Sequence, residues 1–314
     1  TDKSVGTDVH ESPDLNPESR ILNPRVRAGF RPFSYHGFTG KRTQTKDSHR
    51  TMLFIFDLDG VIWRGDTAVP KAAECVAALR DAGHTIRFLT NNAAPMRGDF
   101  VPKLARAGVT AGVEEIVTSA TVLAHYFVEQ GLGGKSVYIV GERGIREALA
   151  EIAGCTFVEH GEPIADAVAV GIDRHFTYEK LKYAQHHILN GARFIATNPD
   201  TTYPIEGGRL LPGAGSLVAS VTAATATEPF VVGKPNPYAI RMLSRETGFD
   251  LDQTWIIGDR LDTDVECAHA AGAHSLLALT GVTSREDVEA LPPARRPEMV
   301  LNDLSEIPPE WVSR

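Results

Sequence analysis

Short apolar runs rich in β-branched and aromatic residues recur along most of this chain, and a helical pattern separates each from the next. They fall at 53–56, 85–89, 137–140, 167–171, 193–196, 230–232, 254–257 and 274–279. A strand that is apolar at every position has both faces buried, and strands alternating with helices are joined by crossovers. The pattern predicts an α/β fold, a Rossmann-like parallel sheet with helices on both faces. Residues 71–82 place Ala72, Cys75, Val76 and Leu79 on one helical stripe, which Gly83 ends. The segment 135–228 carries its own strand–helix set and reads as an inserted α/β domain. Residues 51–134 and 229–314 then form the principal domain. Residues 1–50, rich in Pro, Ser, Asp, Arg and Gly and without periodicity, read as a poorly ordered extension.

Four of the strand ends carry unusual polar residues: Asp57 and Asp59; Thr90-Asn91-Asn92; Gly233-Lys234-Pro235; and the run from Gly258-Asp259 to Asp264. In open α/β sheets, ligands bind beyond the carboxyl ends of the strands. Asp57 and Asp59 lean to one side of an extended backbone, with Leu58 pointing into the core. Two crowded acids at a buried strand end repel each other, and a hard cation such as Mg²⁺ offsets that repulsion. Held between Asp57 and Asp259, Mg²⁺ would let a carboxylate approach a phosphate dianion. Thr90, Asn91 and Lys234 offer a hydroxyl, an amide and an ammonium to phosphoryl oxygens. Asp57 is then the nucleophile and Asp59 the general acid and base. A neighbouring carboxylate and partial burial are expected to keep Asp59 protonated at the start.

The net charge of −8 gives nucleic acid and anionic membranes no electrostatic support. No apolar run approaches the roughly 18 residues of a membrane helix. Cys75, Cys155 and Cys267 are far apart and form no C-x-x-C pair, which suits a reducing compartment. Cytoplasmic location is the expectation, with organelle targeting by residues 1–50 left open. His186 and His187 point about 100° apart on one helix and read as surface or core residues rather than metal ligands. Gly213 and Gly215 read as glycines that let a loop pack closely.

The motif set resembles the haloacid-dehalogenase-like (HAD) superfamily: Asp57-Leu58-Asp59, Thr90, Lys234, and Gly258-Asp259 with Asp264, in the family's order. Longer segments are similar to its class IIA phosphatases, the p-nitrophenyl phosphatase, phosphoglycolate phosphatase and pyridoxal phosphatase group. These are 57–65, Thr90-Asn91-Asn92, 212–216, 232–235, 258–264 and 279–282. The resemblance implies an HAD core with 135–228 as a C2-type cap. It implies Mg²⁺ on Asp57, the backbone carbonyl of Asp59, and Asp259, with Asp264 anchoring the metal's outer shell. It places Asn92, Asn198, Asp200 and Tyr203 near the substrate, and allows a homodimer through the cap. Tyr203 stands where pyridoxal phosphatases tend to carry histidine. The implied activity is hydrolysis of small phosphate monoesters through an aspartyl-phosphate. Phosphotransfer to another hydroxyl, as in a phosphomutase, and a non-catalytic phosphometabolite-binding protein are the alternatives.

Overall fold

The structure, a computed structural model, describes residues 51–204 and 209–313. The extension expected over 1–50 lies outside the described residues.

Six parallel strands form the first sheet, in the order Met299–Leu301, His274–Ala278, Thr254–Gly258, Leu53–Phe56, Thr85–Thr90, Ile116–Thr118. Leu53–Phe56 is central and fully buried. Its side chains alternate between two cores: Leu53 and Ile55 join one cluster, Phe54 and Phe56 the other. This is the physical content of an uninterrupted apolar run in a parallel sheet. The helix Ala72–Asp81 covers one face and buries Ala72, Cys75, Val76 and Leu79. Gly83 ends it at φ 92°, where a side chain would be strained.

Five more parallel strands form a second sheet, in the order Phe230–Val231, Arg193–Ala196, Ala167–Val170, Ser136–Val140, Thr156–Val158. The strand 230–231 was expected in the principal domain. It instead extends the second sheet, and the Val232 and Gly233 amides continue the ladder onto the Ala196 and Thr197 carbonyls. The chain therefore crosses back to the first sheet after Gly233. Lys234 is delivered from the second sheet's edge, not from a strand of the first.

The two sheets meet through loops. The Gly144 amide donates to the Ala94 carbonyl at 3.0 Å, and Arg143 pairs with Asp99. A Cβ on Gly144 would run into the carbonyls of Ala93, Ala94 and Pro95, so only glycine permits this approach. The glycines at 213 and 215 have the expected role: a Cβ on either would strike the carbonyls of Asp200 and Pro199.

Candidate active site

Asp57 is the first residue beyond the strand Leu53–Phe56, and its amide donates to the Ile257 carbonyl at 2.8 Å. That bond fixes the acid beside the end of the neighbouring strand. Lys234, 3% exposed, donates to Asp57 Oδ1 at 2.7 Å, Asp264 Oδ1 at 2.6 Å and the Leu89 carbonyl at 3.3 Å. The three bonds use all three ammonium hydrogens. Asp264 is fully buried, and its other oxygen accepts the Arg260 amide at 3.2 Å. It lies in a wide π-type turn, Leu261–Val265, that follows the strand Thr254–Gly258. Asp259 Oδ2 accepts the Val282 amide at 2.9 Å, whereas Asp259 Oδ1 is buried without a hydrogen-bond partner. Oxygens of Asp57, Asp259 and Asp264 all lie within 4.8 Å of one another.

Glycines make room for this cluster. A Cβ on Gly60 (φ 86°) or Gly281 would strike Asp259, and one on Gly258 would strike Asp264. Thr280 Oγ1 donates to the Gly60 carbonyl at 2.7 Å and ties two of these loops together.

Burial sets the electrostatics. It pushes the Asp57 carboxyl well above the usual range; Lys234 pulls it down, and Asp264 and Asp259 push it up again. Burial, with the Asp264 charge, pushes Asp259 up to about 7. Burial alone would lower Lys234, but Asp264 and Asp57 more than offset it and hold the ammonium above its ordinary range.

An orphaned carboxylate oxygen beside a second carboxylate, in a space that glycines keep open, fits a cation. The donors are all hard oxygens, which suits Mg²⁺ better than zinc. Asp264 has both oxygens engaged, by Lys234 and by the Arg260 amide, so it can orient the cluster without itself being a ligand.

The remaining expected site residues divide. Asp59 is exposed rather than partly buried: the strand has ended at Phe56, and the chain on either side of Asp59 stays buried. Its orientation comes from the buried Trp63, whose Nε1 donates to Asp59 Oδ1 at 2.8 Å. Thr90 is buried, and its hydroxyl accepts the Asn92 amide at 3.1 Å. Asn92 is exposed, with Oδ1 accepting the Ala94 amide at 3.1 Å. The Asn91 side chain does not offer a free amide: Nδ2 donates to the Lys234 carbonyl and to Asp200 Oδ2, both at 3.0 Å. Asn198 is buried and donates to the Asn91 carbonyl at 2.8 Å and to Thr197 Oγ1 at 3.2 Å. It also accepts the Asp200 amide at 3.1 Å. Asp200 is thus brought to the site, half-buried, with burial raising its carboxyl. Tyr203 lies on the strand Thr202–Pro204, where its charge neighbour is Arg174. The Val282 amide and the Trp63 indole were not anticipated; both act through single bonds that carry no local sequence signal.

A cleft of about 500 Å³ lies elsewhere, on the second sheet between Tyr138, Arg146, His160 and Tyr183. Arg146 there is already paired with Glu159 at 2.9 Å, and none of the carboxylate cluster lines the cleft.

Known proteins resemble this chain in sequence and in fold. A family model described as haloacid dehalogenase-like hydrolase matches residues 54–154, and a HAD-hydrolase-like model matches 231–307. The chain is 38% identical to the 5'-nucleotidase YutF of Bacillus subtilis, over 82% of this chain and 96% of that protein. A glycerol phosphate phosphatase from Mycobacterium tuberculosis, solved with magnesium, superimposes with a TM-score of 0.75 at 36% identity. That match covers 81% of this chain and 75% of the other. A p-nitrophenyl phosphatase from Archaeoglobus fulgidus gives 0.75 at 33% identity, over 82% and 97%.

Proposed function

The chain belongs to the haloacid dehalogenase-like hydrolases, among their class IIA phosphatases, and from that membership we propose how its own residues act. It is a Mg²⁺-dependent phosphatase, a phosphoric monoester hydrolase. The substrate is a small phosphorylated metabolite. The observation that carries the assignment of roles is the buried Lys234 ammonium joined to Asp57, beside an Asp259 oxygen with no partner.

Asp57 is the nucleophile. Lys234 occupies its Oδ1, which leaves the other oxygen to form the bond to phosphorus. As the ester oxygen departs, Asp59 gives it a proton. Asp59 then takes a proton from water, whose oxygen attacks the aspartyl-phosphate and releases inorganic phosphate. The Trp63 indole aims Asp59 throughout. The Thr90 hydroxyl is the donor to the phosphoryl oxygens, while the Lys234 ammonium, its three hydrogens already engaged, holds Asp57 in place rather than gripping the phosphate as the sequence suggested. Asp57, Asp259 and the Asp59 backbone carbonyl would hold Mg²⁺, with Asp264 anchoring them from behind. When bound, the ion supplies positive charge against the phosphate dianion.

Residues 135 to about 233 act as a cap over the core, with the loop 197–203 reaching the site, and a homodimer forms through this cap. The cytoplasm is the proposed compartment. The three cysteines are free and buried, and no described helix is long and apolar enough to cross a membrane.

Phosphate release from p-nitrophenyl phosphate with Mg²⁺ tests the roles. Asp57→Asn should leave less than about a thousandth of the parent's rate, since the attacking group is gone. A variant as fast as the parent refutes the nucleophile.

A further inference from the structure

We infer that Asn91 is a positioning residue that couples the seating of the cap loop to the placement of Lys234, and that its side chain is not a ligand of the phosphate. The inference rests on the phosphatase reading above.

Asn91 grips Lys234 twice. Its Oδ1 accepts the Lys234 amide at 3.0 Å, and its Nδ2 donates to the Lys234 carbonyl at 3.0 Å. The amide orientation follows from this pair, because an N–H needs the oxygen and a carbonyl needs the NH₂. The second Nδ2 hydrogen goes to Asp200 Oδ2 at 3.0 Å. No side-chain hydrogen of Asn91 is left for a phosphoryl oxygen. The Asn91 carbonyl accepts the Asn198 amide at 2.8 Å and the Ser119 hydroxyl at 2.6 Å.

The grip matters because of what Lys234 holds. Its ammonium is the group that joins Asp57 to Asp264. The segment just before it is anchored to the cap loop through the Gly233 amide and the Thr197 carbonyl, at 2.8 Å. A Cβ on Gly233 would strike that carbonyl and come within 2.7 Å of Asn91 Oδ1. One amide side chain thus touches the cap loop at Asp200 and the lysine's own peptide. Moving the loop pulls on Asn91, and Asn91 holds the lysine.

The experiment is a pair of exchanges read with p-nitrophenyl phosphate, glycerol phosphate and inorganic phosphate as product inhibitor. Asn91→Asp keeps the acceptor for the Lys234 amide, loses both donated bonds, and sets a carboxylate against Asp200. It should lower kcat about thirtyfold or more, with KM changed less than about threefold. Adding Asp200→Asn returns a donor across the gap and should recover about tenfold of that loss. If Asn91→Asp is equally slow with and without Asp200→Asn, and phosphate inhibition weakens in parallel, Asn91 binds the phosphoryl group and the inference fails. Asp200→Ala provides a route independent of whether Asn91→Asp folds. It should slow both substrates by a similar factor, with phosphate inhibition unchanged, because the coupling acts through Lys234. An unchanged rate, or a loss confined to one leaving group, overturns the inference. A parent inactive on every phosphate ester would instead refute the phosphatase reading.

Discussion

Mg²⁺ binding to this protein should release protons, from Asp259 above all. Burial raises Asp259 to about 7, so near neutral pH about half of the metal-free molecules carry a proton there. Asp57 is also raised by burial and adds to the effect on the acid side. A cation needs both carboxylates ionised. Its apparent affinity should therefore fall about tenfold per pH unit below neutrality, about 1.4 kcal/mol per unit. Asp259 has a folded pKa above its unfolded value, so its proton stabilises the metal-free fold at low pH. That contribution is lost as pH rises through about 7. The raised value corresponds to at most about 4 kcal/mol between acid and neutral pH, an upper bound because the carboxyl can relax toward water. Added Mg²⁺ should raise the melting temperature more at about pH 8 than at about pH 6. Isothermal titration calorimetry in two buffers of different ionisation enthalpy counts the protons directly. An affinity constant from about pH 8 to pH 5.5, with no dependence on buffer, would mean that Asp259 is already ionised. Burial would then not be holding a proton on that carboxyl.

Gly60→Ala should destabilise the fold by about 1–2 kcal/mol from φ 86° alone. It should also weaken Mg²⁺ binding, because the new methyl displaces Asp259; urea unfolding and calorimetry read the two effects separately. Trp63→Phe keeps an aromatic ring in the core but removes the bond that aims Asp59. In a single turnover it should slow phosphoryl transfer from glycerol phosphate to Asp57 about tenfold and from p-nitrophenyl phosphate far less, since nitrophenolate leaves without a proton; equal losses in that first step would count against Asp59 as the acid. His187 is fully buried, with Nδ1 accepting the Ala165 amide and Nε2 bonded to the His160 carbonyl. Burial lowers its pKa, so the unfolded chain binds the proton first and the second sheet should lose stability below about pH 6.5. Hydrogen exchange in strands 136–140 and 167–170 at about pH 5 and pH 7 would show it, and unchanged protection would argue that His187 is not the acid-sensitive point.

The central strands were legible because each apolar run is long enough to show that both faces are buried. The strands Ile116–Thr118, Thr156–Val158 and Met299–Leu301 were not. Each has three residues at the margin of its sheet, too few for any period to appear. Asp57, Thr90, Lys234 and Asp259 were readable for a related reason: polar groups at the end of an apolar strand stand out against their neighbours. What they bond to was not readable. Asn91 and Asn198 lie 107 residues apart, and nothing local to either says that the first gives its carbonyl to the second. The exposure of Asp59 was misjudged because the D-x-D spacing gives direction along a strand, and the strand has already ended at Phe56. The transfer of Phe230–Val231 to the second sheet depends on pairing with Arg193–Ala196, again a long-range choice.

Three buried carboxylates face one buried ammonium at this site, so once all three are ionised two negative charges are in excess of it. A divalent cation would cancel them, and only then could a phosphate dianion enter at modest cost. The same excess of negative charge makes two inactivating substitutions unequal. Lys234→Met removes the ammonium that bonds Asp57 and Asp264 and leaves the acids repelling one another, so it should unfold the protein as well as silence it, costing about 3–5 kcal/mol. Asp57→Asn removes one of the surplus charges while its carboxamide oxygen can still accept from Lys234. It should therefore stop hydrolysis yet raise the unfolding free energy of the metal-free protein, by about 1 kcal/mol or more at about pH 8. The gain should shrink as pH falls, because the wild-type carboxyl then takes up its proton and loses the same charge. Denaturant unfolding of both proteins in chelator, at about pH 8 and pH 5.5, measures that difference. An Asp57→Asn protein less stable than its parent at both values would show that the acids here are balanced without a metal ion, and that the active site is not held under charge strain.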